Sequence, residues 1–181
     1  MKADPRVANW EHHVQSEMVA HDLDSAMSVM TDTPYVNHVP TLTGGDGSAE
    51  LRRFYKYHFL NVNPADMEII PVSRTIGEDQ IVDEMVITFT HSSEMDYFLP
   101  GIPPTGKRIE VAAVIIARFE EGRLAREHIY WDQASVLVQV GLLDRAGLPV
   151  AGVEVARKVL NPALPANTLM PEWKTSEGKP L

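Results

Sequence analysis

The second half of the chain has a long stretch of extended periodicity, and this feature limits the possible folds more than any other. Residues 67–76 and 80–90 form one pair of predicted strands, and residues 107–119 and 124–132 form a second pair. Within each pair the strands are separated by three or four residues that include a glycine, which is the length of a hairpin connection. The sequence therefore predicts two long antiparallel hairpins. The intervening residues 91–106 contain three prolines, which prevent regular strand pairing, so we expect this segment to cover a cavity.

The residues before the hairpins predict mainly helices. The predicted elements are a helix beginning at Pro5 after an Asp4 cap, a second helix capped by Asp22 or Asp24, a short strand over residues 33–39, a loop over residues 43–48 and a third helix over residues 51–59. This order predicts an α+β domain in which helices gather on one face of a curved antiparallel sheet. Such a sheet leaves a concave pocket, where small molecules bind.

The residues beyond the second hairpin predict two short helices, one ending at Gly141 and one ending before Pro162. Residues 161–181 carry four prolines and little periodicity. We expect them to form an extended arm that lies on the parent surface or on a second subunit.

The composition excludes several classes of function. Sixteen Lys and Arg face twenty-five Asp and Glu, and the resulting charge of -9 argues against nucleic acid and anionic membranes as partners. The chain has no Cys, which excludes disulfides, thiolate chemistry and Cys-based zinc sites. The N-terminal residues lack a continuous apolar run, so we expect no signal peptide, no membrane span and a cytoplasmic location.

The last predicted strand carries two different faces. One face holds Arg126, His128, Tyr130 and Asp132, and the other holds Glu127, Ile129 and Trp131. Alternation alone leaves two options open. Either the polar set lines the pocket, or Ile129 and Trp131 face inward while the polar set meets water or another surface.

A series of short motifs then shows a family resemblance. They are Tyr35-Val36-Asn37-His38-Val39-Pro40, Gly44-Gly45, the helix Glu50 to Phe59, Thr90-His91, the run from Pro100 to Lys107, Gly122-Arg123-Leu124, Glu127-His128, Trp131-Asp132 and Gln139-Val140-Gly141. In this order and spacing, over residues 8–142, the chain resembles the SnoaL-like polyketide cyclase and ester cyclase family. The resemblance implies a cystatin-like, nuclear-transport-factor-2-like cone with three N-terminal helices on its concave side, usually a homodimer through the sheet. It also implies a cone domain over residues 1–142 and an extension over residues 143–181.

The resemblance implies an acid/base mechanism. In cyclases of this family an Asp at the end of the last strand is the general acid/base of an intramolecular aldol ring closure, without metal or cofactor, and the matching position is Asp132. A carboxylate desolvated in an apolar cone would have a raised pKa, which suits that role. The competing interpretation makes Asp132 the N-cap of the helix that follows it. His91 and His128 are predicted as catalytic partners, and the predicted substrate-binding residues are His38, Tyr130, Tyr35, Phe54, Tyr57 and His58.

His13, Glu17 and His21 recur every four residues on the first predicted helix, which could stack three metal ligands on one stripe. A solvated polar face explains the same spacing, and we predict no metal. Phosphate-loop, nucleophile-elbow and dinucleotide motifs are missing from the sequence.

The leading functional hypothesis is therefore a cofactor-independent lyase or isomerase that abstracts a proton from a small, largely apolar carbonyl compound, as a cyclase, isomerase or dehydratase. The alternatives are a non-catalytic small-molecule binding module and a dimeric adaptor. An exchange of Asp132 for Asn would test the first hypothesis.

Overall fold

The computed structural model describes residues 4–180, and its six strands form one curved sheet. They are β1 (Met30–His38), β2 (Thr43–Asp46), β3 (Glu68–Ile76), β4 (Gln80–Thr90), β5 (Arg108–Glu120) and β6 (Arg123–Trp131). The strand order is β2-β1-β6-β5-β4-β3; β1 and β6 run parallel, and the other neighbours are antiparallel. The predicted α+β class and both hairpins are confirmed, and the ends of the four hairpin strands lie within one residue of the predicted ones. Strand β1 begins three residues before the predicted residue 33.

The helices occupy both ends of the chain. They are α1 (Pro5–Gln15), α2 (Leu23–Ser28), α3 (Ser48–Phe54), α4 (Gln133–Gln139) and α5 (Glu154–Leu160), with π-helical turns at Ser16–Ala20 and Tyr55–Phe59 and a 3-10 turn at Trp173–Ser176. Asp4 and Asp22 cap α1 and α2 through hydrogen bonds from Arg6 N and Ser25 N. The helices of the first half cover the concave face of the sheet, where Trp10, Leu51 and Tyr55 are buried against it.

The loop predicted over residues 43–48 is wrong, because residues Thr43–Asp46 form strand β2 beside β1. The glycines that suggested a loop serve a different purpose. A Cβ atom on Gly44 would lie 1.9 Å from the carbonyl oxygen of Val36, so only glycine lets the two backbones approach this closely.

The C-terminal extension packs on the convex face of the sheet. The Arg157 guanidinium pairs with Glu110 of β5 at 2.6 Å, and the Ser135 hydroxyl donates to the Gly152 carbonyl at 2.8 Å. Ala156 of α5 is fully buried. Residues 161–180, by contrast, are exposed along their whole length. Across residues 4–180, every helix is too short or too polar to span a lipid bilayer.

Candidate functional site

The concave face of the sheet and the helices above it enclose a cavity of about 740 Å³. Most of its wall is apolar, and strands β1, β3, β4, β5 and β6 contribute to it together with α1. Representative wall residues are Val36, Met85, Ile87, Ile115, Ile129 and Trp131. A cavity of this size suits a small organic molecule, and its few polar groups then fix the orientation of that molecule.

Three ionisable side chains meet at the cavity wall beneath α1. Nε2 of His13 lies 3.0 Å from a carboxylate oxygen of Glu17 and 3.0 Å from Oε1 of Glu127. His13 is fully buried, and Glu127 is only 3% exposed. The other ring nitrogen of His13, Nδ1, lies 2.9 Å from the carbonyl oxygen of Ala26 and must donate to it. Nε2 therefore faces two carboxylates, and this contact is favourable only when a proton lies between them.

The electrostatics of this cluster retain that proton. Burial by itself disfavours the charged imidazolium, but Glu17 and Glu127 together raise the pKa of His13 well above its usual value. Burial also raises the pKa of Glu127, which His13 opposes and the negative charge of Glu17 reinforces. Oε1 of Glu127 has no well-directed hydrogen bond from any described residue. The cluster is therefore a protonated imidazole in ion-pair contact with two carboxylates, and Oε1 of Glu127 keeps a lone pair that receives no directed hydrogen bond from a described residue.

Two aromatic residues hold this cluster in place. The Tyr55 hydroxyl lies 3.4 Å from Nε2 of His13, and burial together with the two carboxylates raises the pKa of Tyr55 well above its usual value. Tyr55 thus remains a neutral phenol, and its oxygen can only accept from the protonated Nε2 of His13. The Trp10 ring stacks on the His13 ring with centroids 5.8 Å apart, and its Nε1 donates to Asp83 at 2.7 Å. The imidazole consequently has one fixed orientation.

A second charged group at the cavity wall is neutralised within the protein. Arg74 makes a bidentate contact with the Asp83 carboxylate at 2.7 and 2.8 Å, and it also contacts Glu11 at 3.0 Å. Because Arg74 already has two carboxylate partners, it contributes little free positive charge to the cavity.

His38 lies inside a group of four aromatic rings. The rings of Phe54, Phe59, Tyr97 and Trp131 surround it with centroids 5.1 to 5.9 Å away. Its Nδ1 donates to the carbonyl oxygen of Thr43 at 3.3 Å. Burial lowers the pKa of His38 to about 4, although that hydrogen bond and the charge of Glu17 act in the opposite direction. His38 is therefore neutral at physiological pH.

The predicted position of Asp132 inside the cavity is wrong. Asp132 is exposed, and its carboxylate accepts a hydrogen bond from Ser135 N at 3.1 Å, so it serves as the N-cap of α4. The reason is the register of β6, in which Ile129 and Trp131 pair with Ile115 and Ala113 of the inner face. This pairing turns the alternate residues of β6 outward.

The other outward residues follow the same rule. His128 and Tyr130 lie on the convex face, where His128 contacts the ring of Tyr35 at 5.7 Å between centroids. Tyr130 is 41% exposed and Tyr35 is half-buried, so neither they nor His128 contribute to the cavity wall. The cavity instead receives Glu127 from this strand.

The remaining predicted site residues are distributed over separate places. His91 is fully buried at the end of β4, with Nδ1 3.1 Å from the Thr105 hydroxyl, and it lies outside the cavity wall. Phe54 packs behind His38, and Tyr57 is exposed. His58 pairs with Asp96 at 2.7 Å beside a shallower depression. Of the nine predicted side chains, only His38 lines the main cavity.

The stripe of His13, Glu17 and His21 was interpreted from the sequence as a solvated polar face, and this is wrong for its first two members. His13 and Glu17 are buried, whereas His21 has left-handed backbone geometry and contacts the Leu60 carbonyl oxygen. Among the residues that the model describes, His13, Glu17 and Glu127 are also the group that could hold a metal ion, with ligand atoms within 4.8 Å of one another. The spacing on α1 was visible in the sequence, but the approach of Glu127 was not.

Comparison with solved structures identifies the fold. A candidate polyketide cyclase from Acidithiobacillus ferrooxidans superposes with a TM-score of 0.60 at 17% identity, covering 77% of this chain and 96% of that one. A candidate SnoaL-like polyketide cyclase from Jannaschia sp. CCS1 gives 0.59 at 16% identity, covering 77% and 94%. TerC, crystallised with polyporic acid, gives 0.55 at 13% identity, covering 75% and 98%. A search of curated proteins finds no match.

The concave face of the curved sheet and the three helices that cover it enclose an apolar cavity with a small polar cluster. This architecture defines the class of nuclear-transport-factor-2-like cone proteins. Within this class the assignment is more specific. The family model of the SnoaL-like domain matches residues 10–127, and the chain belongs to that family.

Proposed function

We propose that the cavity binds a small, largely apolar carbonyl compound and that the His13–Glu17–Glu127 cluster moves a proton on it. The observation that carries this proposal is the buried imidazole nitrogen that lies 3.0 Å from each of two carboxylates at an apolar wall. A carboxylate in such surroundings is a stronger base toward a carbon acid than one in water. Lyase or isomerase chemistry of the cyclase type requires this kind of base.

The proposed step balances with the groups that are present. Glu127 accepts a proton from the carbon next to the carbonyl group. The electron pair of that C–H bond forms a C=C bond, and the π pair of the carbonyl group moves to its oxygen, which gives an enolate. The protonated His13 and the Tyr55 phenol supply positive charge and a donor near the cluster. Glu127 then returns the proton to a different atom, which completes an isomerisation. Alternatively the enolate carbon attacks a second carbonyl group to close a ring, and the alkoxide formed there takes the proton back from Glu127.

Deuterium exchange into β-tetralone, followed by NMR in D₂O, tests this proposal without a known substrate. We expect the wild-type protein to accelerate exchange at the carbon next to the carbonyl group. Glu127→Gln should slow this catalysed exchange by about 100-fold or more, because removal of a general base commonly costs that much. Asp132→Asn is the matched control and should retain the wild-type rate. Equal rates in wild type and Glu127→Gln, or loss of exchange in Asp132→Asn, would contradict the proposal.

The deep aromatic cavity also favours a second candidate function, which is binding without chemistry. TerC, one of the similar structures, was crystallised with polyporic acid. In that case polyporic acid should quench the fluorescence of Trp10 and Trp131 at the cavity wall. The wild-type protein should then show no catalysed exchange with any carbonyl probe.

For assembly we propose a homodimer formed by the convex face of the cone domain, residues 1–142, with residues 143–181 as an extension. The support is the strip of half-buried apolar residues that α4 and α5 leave open on this face, including Val82, Val114 and Ile116. We expect Ile116→Arg to shift a wild-type dimer to a monomer in sedimentation experiments. Leu42→Arg, at an 85% exposed position on the β1–β2 turn, should leave the dimer intact. A wild-type monomer at all concentrations would contradict this proposal.

A further inference from the structure

One nitrogen atom in the cavity wall has no role within the protein. The side chain of His38 makes a single hydrogen bond among the described residues, from Nδ1 to the Thr43 carbonyl oxygen. A carbonyl oxygen only accepts, so Nδ1 carries the hydrogen and Nε2 of the neutral ring presents a lone pair. His38 lies on the inner face of β1 and lines the cavity. The cavity thus contains a fixed hydrogen-bond acceptor.

The surroundings of that acceptor are aromatic. His38 contacts the rings of Phe54, Phe59, Tyr97 and Trp131, and the Phe59–Tyr97 pair adds an edge-to-face contact with centroids 4.9 Å apart. The Tyr97 hydroxyl does not compete for Nε2, because it donates to Asn63 Oδ1 at 2.7 Å. Tyr97 and Trp131 themselves line the cavity. A flat ring with a polar hydrogen at its edge fits this combination of rings and lone pair.

We infer that the ligand of this cavity is a hydroxylated aromatic compound whose hydroxyl group donates a hydrogen bond to Nε2 of His38. This inference deepens the proposed function and rests on it for the choice of cavity. Such an acceptor discriminates between ligands, because a bound ligand without the donor leaves this nitrogen without a hydrogen bond. His38 is thereby a specificity-determining residue, and no chemistry is assigned to it.

His38 shares its cavity with the carboxylate cluster. His38, Glu17 and Glu127 all line the same wall. A ligand held at Nε2 by its hydroxyl group therefore occupies the same cavity as the proposed base.

The test compares two probes that differ only in the donor, β-naphthol and its methyl ether, by isothermal titration calorimetry. We expect the wild-type protein to bind β-naphthol about tenfold more tightly than the ether, the effect of one neutral hydrogen bond. His38→Phe keeps an aromatic ring at this position but removes the acceptor, so this preference should disappear while the ether binds as before. His38→Gln presents an amide oxygen as an acceptor and should restore part of the preference for β-naphthol over the ether.

The outcomes separate this inference from the proposed function. Equal affinity of the two probes for the wild-type protein, or an unchanged preference in His38→Phe, overturns the inference, and so does a failure to bind either probe. If the preference depends on His38 while β-tetralone exchange is absent, the inference stands and the catalytic proposal fails. If exchange depends on Glu127 while the two probes bind equally, the catalytic proposal stands and the inference about His38 fails.

Discussion

Replacing His13 with phenylalanine is expected to lower the free energy of unfolding by about 3–5 kcal/mol. His13 lies between the carboxylates of Glu17 and Glu127 in a buried position, with both contacts at 3.0 Å. Removing one partner from a buried ionic group leaves uncompensated charge, and measured losses of stability in such cases fall in this range. Phenylalanine fills the ring volume, so the loss would report on charge and hydrogen bonding more than on packing. Urea unfolding at neutral pH measures it.

A triple variant provides the control for this result. His13→Phe combined with Glu17→Met and Glu127→Leu removes the whole ionic group and replaces it with apolar side chains of similar size. We expect it to regain most of the lost stability, because an apolar replacement of a buried ionic group is often neutral or stabilising. It should remain inactive in the exchange assay. A single His13→Phe variant as stable as wild type would show that the cluster carries little buried charge.

The second large effect is the dependence of stability on pH that His38 introduces. Burial lowers its pKa from 6.5 to about 4 in the folded protein. The folded state therefore resists protonation of His38, and this contribution to stability is fully present above pH 6.5 and is lost as the pH falls toward 4. At 1.36 kcal/mol for each unit of pKa, the loss amounts to about 3 kcal/mol.

The comparison of wild type with His38→Phe separates the contribution of His38 from the titration of carboxyl groups, which both proteins share. The difference in unfolding free energy between the two proteins should change by about 3 kcal/mol between pH 7 and pH 4, in favour of the variant at low pH. His13 acts in the opposite direction, because its raised pKa makes its contribution complete below pH 6.5 and lost as the pH rises through the folded value. A difference between wild type and variant that stays constant across this range would contradict a buried neutral His38.

Much of the fold was predictable because it depends on local patterns. The alternation over residues 67–132 and the short glycine-containing turns specify two hairpins without reference to any distant residue. Asp4 and Asp22 indicate where α1 and α2 begin, because an Asp side chain is a favoured N-cap. The one element predicted wrongly, β2, failed for a nonlocal reason: its glycines fit against the backbone of β1, and nothing within residues 43–46 reveals that neighbour.

The candidate site was predicted less well. The i,i+4 pair of His13 and Glu17 was noticed, but an amphipathic helix can turn such a pair toward water or toward the sheet, and the two cases look alike in the sequence. Alternation along its strand places Glu127 on the same face as Ile129 and Trp131, but it leaves open whether that face lines the cavity. His38 was recognised as a binding residue, but its ring of four aromatic neighbours comes from elements far apart in the chain.

The sequence by itself determined the succession of helices and hairpins, the family resemblance and the absence of thiol chemistry, because these depend on residue types and on short-range spacing. Only the tertiary structure decided which face of β6 is inside. Side chains alternate strictly along a strand, so the pairing of Ile129 with Ile115 sends Glu127 inward and Asp132 outward together. Because of this register, the candidate acid/base group is Glu127, within β6 and beneath His13, and not Asp132 at the end of the strand.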